Sequence, residues 1–167
     1  MSPMYAELNA LDYKRIQGVL ENMRQELDAQ LVLLIHRSGQ QVAWAGRSRD
    51  LDITALSSLA AASLAATDGL AQLVGEREFS VLFQQGRVKS IHISSLNSKF
   101  CLVLLFGAKI SPGMVRWKAR RASDALARAL KECELGSTTR ADVTDTSSER
   151  AQPRFFTDSE LEKLFDK

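Results

Sequence analysis

The chain has 167 residues, of which 45% are hydrophobic and 25% charged, and its net charge is +2. This length suits one domain plus a tail, and the proportions are those of an ordinary globular protein. Because the charge is nearly balanced and no long apolar run or signal peptide is present, we expect neither a nucleic-acid nor a membrane partner. The two cysteines, Cys101 and Cys133, are far apart, which predicts buried thiols in a cytoplasmic protein.

The first predicted elements are a helix and two strands. One apolar face of the helix comprises Ile16, Val19, Leu20, Met23 and Leu27 at helical spacing. The continuous apolar run from Leu31 to Ile35 is typical of a strand that is covered on both faces. A turn at Ser38 and Gly39 follows, and Val42 and Trp44 alternate into a second strand.

The next element is a long helical pattern from Asp52 to Gly75 that is rich in small residues. Asp52 is a good N-cap, and Gly75 stands where a glycine ends a helix. Larger residues at roughly helical spacing predict a core-facing stripe of Leu56, Leu59, Ser63, Leu70, Leu73 and Val74. Ala61, Ala65 and Gly69 follow one another at i, i+4 and i+8 and predict a smooth strip beside it. Because such a strip lets another backbone approach, we expect it to be the working surface of the protein.

Three more strands and a third long helix complete the predicted domain. Alternation at Phe79, Val81 and Phe83 and again at Ile91 and Ile93 predicts two strands, and the run from Phe100 to Phe106 predicts a central one. Ser111 and Pro112 open the helix, whose predicted buried stripe is Val115, Ala119, Ala122, Leu126, Leu130 and Cys133. Gly136 is expected to end it. This order predicts a five-stranded sheet with helices on its faces, an α/β sandwich.

A polar tail follows the domain, which we place at residues 1–136. Residues 137–154 lack large apolar side chains and are predicted to form a flexible linker. Residues 155–167 predict a short amphipathic helix with the apolar anchors Phe156, Leu161, Leu164 and Phe165. A helix this short is marginal in water, so it needs a partner, and docking on its own domain remains an alternative.

The sequence contains no recognisable catalytic motif, such as a phosphate loop, a nucleophile elbow or a cysteine pair at metal spacing. The histidines His36 and His92 lie in or beside predicted strands and are expected to be surface or core polar groups. We therefore predict no catalytic residue, no metal site and no cofactor, and a protein that is not an enzyme.

The third long helix is basic. Its cationic residues are Arg116, Lys118, Arg120, Arg121 and Arg128. They predict either a solvated face, or a patch that steers an acidic partner or inserts an arginine into a nucleotide site. We expect the two tryptophans, Trp44 and Trp117, to pack in the core or at its rim.

Three segments together resemble the roadblock (dynein light chain) family, in particular its branch from bacterial gliding motility. They are IHRSGQQVAWAG, LSSLAAASLAATDGLAQLVGE and PGMVRWKARRASDAL, within a resemblance from about Tyr5 to Leu135. It implies a five-stranded antiparallel sheet with the small-residue helix on one face and the other two long helices on the opposite face. It also implies a homodimer with small-residue helices side by side and edge strands paired, the edge strand being Phe79 to Phe83.

The resemblance further implies an activator of a small Ras-like GTPase of the MglA type, which sets cell polarity for motility. Such a dimer repositions the catalytic groups of the GTPase without inserting an arginine finger. The implied docking surface is Ala61, Ala62, Ala65 and Gly69, the basic residues facing the GTPase are Lys14, Arg116 and Arg120, and the tail-helix contacts are Phe156, Leu161, Leu164 and Phe165. Asp68 departs from the pattern, since it places a charge beside Gly69.

Three functions remain open at the level of the sequence. The first is the GTPase activator, and the second is a roadblock adaptor that dimerises and recruits a GTPase or motility complex without changing a rate. A small-molecule sensor is the third, because α/β sandwiches of this size can bind ligands between helix and sheet.

Overall fold

The computed structural model describes residues 10–141, and the side chains of residues 11–131. In chain order its elements are α1 (Ala10–Leu27), β1 (Leu31–His36), β2 (Gln41–Gly46), α2 (Ile53–Leu73), β3 (Val81–Gln85), β4 (Lys89–Ser95), β5 (Phe100–Gly107) and α3 (Pro112–Ala141). The chain divides into two compact units, Met1–Ser137 and Thr138–Lys167. All five strands, with α1 and α2, belong to the first unit.

The strands form one sheet in the order β2-β1-β5-β4-β3, and every neighbouring pair is antiparallel. The two apolar runs of the sequence form β1 and β5, which lie side by side in the middle of the sheet. Nearly all of their residues are buried, because helices cover both faces of these strands. The prediction of a central strand at Phe100 to Phe106 is confirmed.

Helices α1 and α3 cover one face of the sheet, and α2 covers the other. On the α1/α3 face the core includes Ile16, Leu20, Val32, Leu34, Leu102, Leu104, Phe106, Val115, Leu126 and Leu130. On the α2 face it includes Leu31, Leu33, Ile35, Ala60, Ala61, Leu64, Ile93, Cys101, Val103 and Leu105. Alternate residues of the central strands thus serve opposite layers. This confirms the predicted sandwich with one helix on one face and two on the other.

The third long helix is longer than predicted. It passes through Gly136 and continues to Ala141, so the prediction that Gly136 ends it is wrong. A glycine inside a helix costs only about 1 kcal/mol relative to alanine, and no proline follows closely enough to stop the helix. The side chain of Cys133, the rest of the predicted linker and the tail anchors lie outside the described residues. Those anchors are Phe156, Leu161, Leu164 and Phe165.

The two edges of the sheet differ. At the β2 edge the side chain of Gln17 on α1 donates a hydrogen bond from Nε2 to the carbonyl oxygen of Trp44, at 2.8 Å. At the other edge β3 pairs only with β4 within the described part of the chain. The edge strand runs from Val81 to Gln85, slightly later than the predicted Phe79 to Phe83. Within the described residues, α1 therefore contacts the β2 edge, whereas no further strand pairs with β3.

Both predicted ends of α2 are confirmed. The carboxylate of Asp52 accepts a hydrogen bond from the backbone N–H of Ala55 at 2.9 Å, which is N-cap geometry. Gly75, just after the helix, has a φ of +77°, a left-handed conformation that glycine adopts without strain. These ends fix a helix of 21 residues across the sheet.

Candidate interaction surface on helix α2

The inner side of α2, which faces the sheet, carries mostly small and hydroxyl-bearing residues. Its buried residues are Ser57, Ala60, Ala61, Leu64, Thr67 and Ala71, and Leu64 is the one large side chain among them. The buried hydroxyls of Ser57 and Thr67 donate to the carbonyl oxygens four residues earlier, at 2.7 and 2.8 Å. Because the side chains are small and the hydroxyls are satisfied locally, the helix can lie close to the sheet.

The larger residues of α2 are exposed, so the predicted core-facing stripe is wrong. Leu59, Leu70 and Leu73 are 67%, 57% and 84% exposed, and Val74 is also exposed. Leu56 and Ser63 are half-buried, and only Leu56 packs against the core of the α2 face. Hydropathy ranks leucine above alanine as a core residue, but a helix that lies close to a sheet needs small residues between them. The regular spacing of small and hydroxyl-bearing residues was the sequence signal for the side of α2 that faces the sheet.

The predicted smooth strip divides between the two sides of the helix. Ala61 is only 8% exposed and packs against the sheet, so it does not lie on the open surface where a docked protein was expected. Ala65 and Gly69 are exposed, as is Ala62. A row at i, i+4 and i+8 rotates around the helix by about 40° per step, because one turn takes 3.6 residues. The row therefore begins on the inner side and ends on the outer side.

The outer side of α2 presents two adjacent rows. From here on, the smooth strip means only the exposed small residues Ala62, Ala65 and Gly69, without the buried Ala61. The second row, Leu59, Ala66, Leu70 and Leu73, is called the leucine strip. Added bulk at Gly69 would meet no atom within 4 Å, so the smooth strip is open. Contiguous exposed apolar surface of this kind marks a contact site for another molecule.

By length and composition alone, α2 is the one helix in the described part of the chain that could also cross a membrane. The fold gives the apolar composition another explanation. One side of the helix packs on the sheet, and the other carries the leucine strip. The composition of α2 is therefore that of a helix with two contact faces.

Asp68, the unexpected charge beside the smooth strip, is paired within the chain. Its Oδ2 lies 2.6 Å from Nη1 of Arg37, whose Nη2 donates to the hydroxyl of Ser95 at 3.2 Å. Burial opposes the charge on Arg37, but the hydrogen bond and the charge of Asp68 outweigh it and raise the pKa of the guanidinium. This Arg37–Asp68 pair ties the second half of α2 to the ends of β1 and β4, so Asp68 offers no free charge to a partner.

The thiol of Cys101 lies in the core of the α2 face. It is free and fully buried, as predicted, and burial raises the pKa of this thiol. A neutral buried thiol packs as a small apolar group.

The predicted basic residues are not brought together with the smooth strip. Lys14, Arg116 and Arg120 are exposed on α1 and α3, whereas the smooth strip lies across the sheet on α2. A single flat contact surface therefore cannot include both sets.

Two other cations of α3 are engaged within the chain. The Nζ of Lys118 lies 3.1 Å from the carboxylate of Glu26 on α1, and the guanidinium of Arg121 stacks 5.0 Å from the ring centre of Trp117. That ring is more than half exposed, so the prediction of core or rim packing holds better for Trp44 than for Trp117.

His92 on β4 is a buried residue whose burial the sequence left undecided. It is 2% exposed, and its Nε2 has no hydrogen-bond partner within the described residues. Burial, together with the charge of Arg116, lowers the pKa of His92 to about 4. The ring is therefore neutral near pH 7 and belongs to the core of the α1/α3 face rather than to a proton-transfer site.

Comparison with known proteins adds independent support for the fold. MglB from Myxococcus xanthus is 32% identical, with 75% of this chain and 95% of that chain covered and a TM-score of 0.71. The gliding protein MglB from Thermus thermophilus is 33% identical over the same shares, with a TM-score of 0.70. A Roadblock/LC7 domain from Streptomyces avermitilis is 15% identical, covers 69% of this chain and 97% of that domain, and has a TM-score of 0.60, which supports the fold alone.

No protein-family model and no curated protein matches the chain, so the assignment depends on the solved structures. Two of these share about a third of their residues with it over nearly their whole length. The element order, the antiparallel sheet and the small-residue helix agree with the resemblance drawn from the sequence. The chain belongs to the MglB group of the roadblock family.

Proposed function

We propose that this protein is a homodimeric activator of a small Ras-like GTPase of the MglA type and thereby controls cell polarity and motility. In this proposal it has no catalytic site of its own, acts in the cytoplasm and remodels the active site of the GTPase. The observation that carries the proposal is the outer side of α2, where an exposed leucine strip runs beside an open smooth strip. Membership of the MglB group supports the choice of an MglA-type GTPase as the proposed partner.

The leucine strip and the open edge of β3 support pairing with a second copy. Leu59, Leu70 and Leu73 each expose more than half of their surface, and burying such side chains releases roughly 1.5–3 kcal/mol apiece. The free edge of β3 can accept a second β3 strand, which would extend the sheet across the dimer. One solved MglB structure has a tetrameric arrangement, which is consistent with self-association in the group.

The smooth strip is proposed to contact the GTPase. Ala62, Ala65 and Gly69 are exposed, and the space above Gly69 is free, so another backbone can come close. The Arg37–Asp68 pair, directly below, holds this part of the helix at a fixed position on the sheet. Such rigidity lowers the entropic cost of docking.

The placement of the arginines supports remodelling rather than an arginine finger. Arg116 and Arg120 lie across the sheet from the smooth strip, and Arg37 is engaged by Asp68. A GTPase docked on α2 would therefore receive none of these three guanidiniums. Rate enhancement would then come from repositioning the catalytic groups of the GTPase itself.

A hydrolysis assay separates the activator from the adaptor. Under multiple-turnover conditions, adding this protein to an MglA-type GTPase should raise the rate of GTP hydrolysis. Binding without any change in rate would reject the activator and favour the adaptor that dimerises and recruits a GTPase or motility complex.

A paired variant tests the docking surface. Ala65→Arg combined with Gly69→Arg should abolish GTPase binding in calorimetry while the dimer remains folded, because both positions are open. The matched control is Gly18→Arg on α1, where added bulk also meets nothing within 4 Å. Gly18→Arg should retain affinity, and equal loss in both variants would place docking elsewhere.

The tail helix is proposed to contact a second place on the GTPase through Phe156, Leu161, Leu164 and Phe165. Deleting residues 155–167 should weaken GTPase binding or change nucleotide exchange, with the melting temperature of the remaining protein unchanged. A large fall in melting temperature would instead support docking of the tail on its own domain.

A further inference from the structure

A cleft of about 920 Å³ opens at the end of the sheet where β1 begins and where β2 and β5 end. Its walls come from the end of α1, the connection to β1, and the connection from β2 to α2. None of the residues of the smooth or leucine strips lines it. Its size is that of a small-molecule site, and it is independent of the surface proposed for the GTPase.

The floor of the cleft is formed by a close approach of two backbone segments. Gly46 has a φ of +123°, and a Cβ atom there would lie 2.3 Å from the carbonyl oxygen of Gln30. That oxygen accepts a hydrogen bond from the N–H of Arg47 at 2.9 Å, and the N–H of Gln30 donates to Leu105 at 2.9 Å. Only glycine permits this contact, so the position from which Arg47 projects is fixed.

Three arginines line the cleft. Arg24 is held by a bidentate contact to Glu21, with its Nη2 at 2.7 Å, and its Nη1 makes no hydrogen bond within the described residues. Arg47 and Arg49 are exposed and form no ion pair within the described residues. Guanidinium groups bind phosphate oxygens in pairs of parallel hydrogen bonds, and three arginine residues line this one cleft.

Two carboxylates share the same cleft. Asp28 follows α1 in a left-handed conformation with a φ of +46°, and Asp50 lies in the turn closed by the hydrogen bond from the N–H of Leu51 to Ser48. A site for a bare anion would exclude carboxylates, because they repel it. Ionised carboxylates accept hydrogen bonds from hydroxyl and amino groups, so a ligand that suits the whole cleft carries both phosphate and such donors.

We propose that this cleft binds a nucleoside phosphate, with the diphosphate on Arg24, Arg47 and Arg49 and the sugar hydroxyls or base amino group on Asp28 and Asp50. The proposal does not depend on the GTPase partner, because the ligand binds to this protein alone. Occupancy would fix the connection between β2 and α2, and therefore the start of the helix that carries the interaction surface.

Calorimetry on the full chain with ADP and with pyrophosphate tests the site. ADP should bind saturably, and Arg47→Met combined with Arg49→Met should weaken ADP and pyrophosphate at least about tenfold, since each contact to a charged group is strong. The control Arg87→Met, an exposed arginine in the turn between β3 and β4, should change neither. Asp50→Asn should weaken ADP binding and strengthen pyrophosphate binding, because it removes an acceptor for the nucleoside and a charge that repels a bare anion.

Several outcomes would overturn the proposal. The absence of saturable ADP binding at millimolar concentration would remove it, as would equal losses in the paired arginine variant and in Arg87→Met. Pyrophosphate binding as tight as ADP binding would overturn the role of the two aspartates. Because the substituted side chains are exposed, unchanged melting temperatures should accompany every variant, and amide NMR shifts on ADP addition should centre on residues 46–50.

Discussion

The helices pack on the two faces of the sheet in different ways. On the α1/α3 face, large side chains such as Leu20, Phe106 and Leu126 fill the core. On the α2 face, the helix contributes mostly small residues, with Leu64 as its one large buried side chain and Ile53 and Leu56 half-buried beside it. The Arg37–Asp68 pair fastens the second half of the helix. Large helix side chains stabilise the α1/α3 layer, whereas the α2 layer is stabilised by a helix that lies close to the sheet and by an ion pair. Because α2 packs on the sheet through small residues, its exposed leucines remain available to a partner.

The strongest test of this contrast uses two leucines of the same helix. Leu64→Ala should lower the free energy of unfolding by about 2–5 kcal/mol, because Leu64 is buried and its removal leaves a cavity. The matched change Leu70→Ala should cost the isolated chain less than about 0.5 kcal/mol, because that side chain is exposed. Urea unfolding of both variants, at protein concentrations low enough to keep the chain monomeric, measures the difference, and similar losses there would show that α2 is not anchored through Leu64.

The buried histidine of the α1/α3 face predicts a pH-dependent stability. In the unfolded chain His92 has its ordinary pKa of 6.5, whereas burial lowers the pKa in the folded protein to about 4. The unfolded state therefore binds the proton first as the pH falls, and stability decreases between about pH 6.5 and pH 4 by at most about 3 kcal/mol.

Unfolding titrations across that range measure this effect. His92→Leu should flatten the pH dependence, since it removes the titrating group while keeping a buried side chain of similar size. The control is His36→Gln, which removes the other histidine of the chain and should retain the slope. An unchanged slope in His92→Leu would assign the effect to other groups.

The ion pair on the α2 face should have an intermediate effect. Asp68→Ala leaves the partly buried charge of Arg37 without its partner, and we expect a loss of about 1–3 kcal/mol. The control Glu76→Ala removes an exposed carboxylate just beyond α2 and should be nearly neutral. If the double variant with Arg37→Met shows no coupling in a mutant cycle, the pair does not fasten the helix.

The smallest effect is expected for the ion pair between the helices of the α1/α3 face. The hydrogen bond from Lys118 lowers the pKa of the Glu26 carboxyl, but that carboxylate is exposed and the pair is screened by salt. Lys118→Met should therefore lower the melting temperature slightly, and less at high salt than at low salt, because at high salt only the hydrogen bond from Nζ to the carbonyl oxygen of Glu26 at 3.0 Å is lost. A large loss at both salt concentrations would show that this layer also depends on a polar contact.

Much of the fold followed from sequence patterns because the sheet has strong ones. Continuous apolar runs identified the central strands, and the spacing of Ile16 to Leu27 identified the buried side of α1. The caps of α2 were recognisable because Asp52 and Gly75 have local conformational roles. The apolar runs, the helical spacing and the caps are each determined by residues close together in the sequence.

The orientation of α2 could not be predicted in the same way. Whether Leu59 and Leu70 or Ala60 and Ala61 face the sheet depends on how close the helix lies, which is a property of the assembled layers. Likewise, Arg37 and Asp68 are 31 residues apart, so the pairing that explains the unexpected charge is visible only in three dimensions. Ala61 therefore lies on the inner side of α2 instead of the predicted outer side, and the docking surface itself stays a prediction.

The hydroxyl groups of α2 have a consequence for its internal motion. Ser57, Ser63 and Thr67 each donate to the carbonyl oxygen four residues earlier, and these oxygens are the usual acceptors of the helix backbone. Shared acceptors of this type lengthen backbone hydrogen bonds and favour curvature. Amide protons in the middle of α2 should therefore exchange with deuterium sooner than those of the buried strand β5.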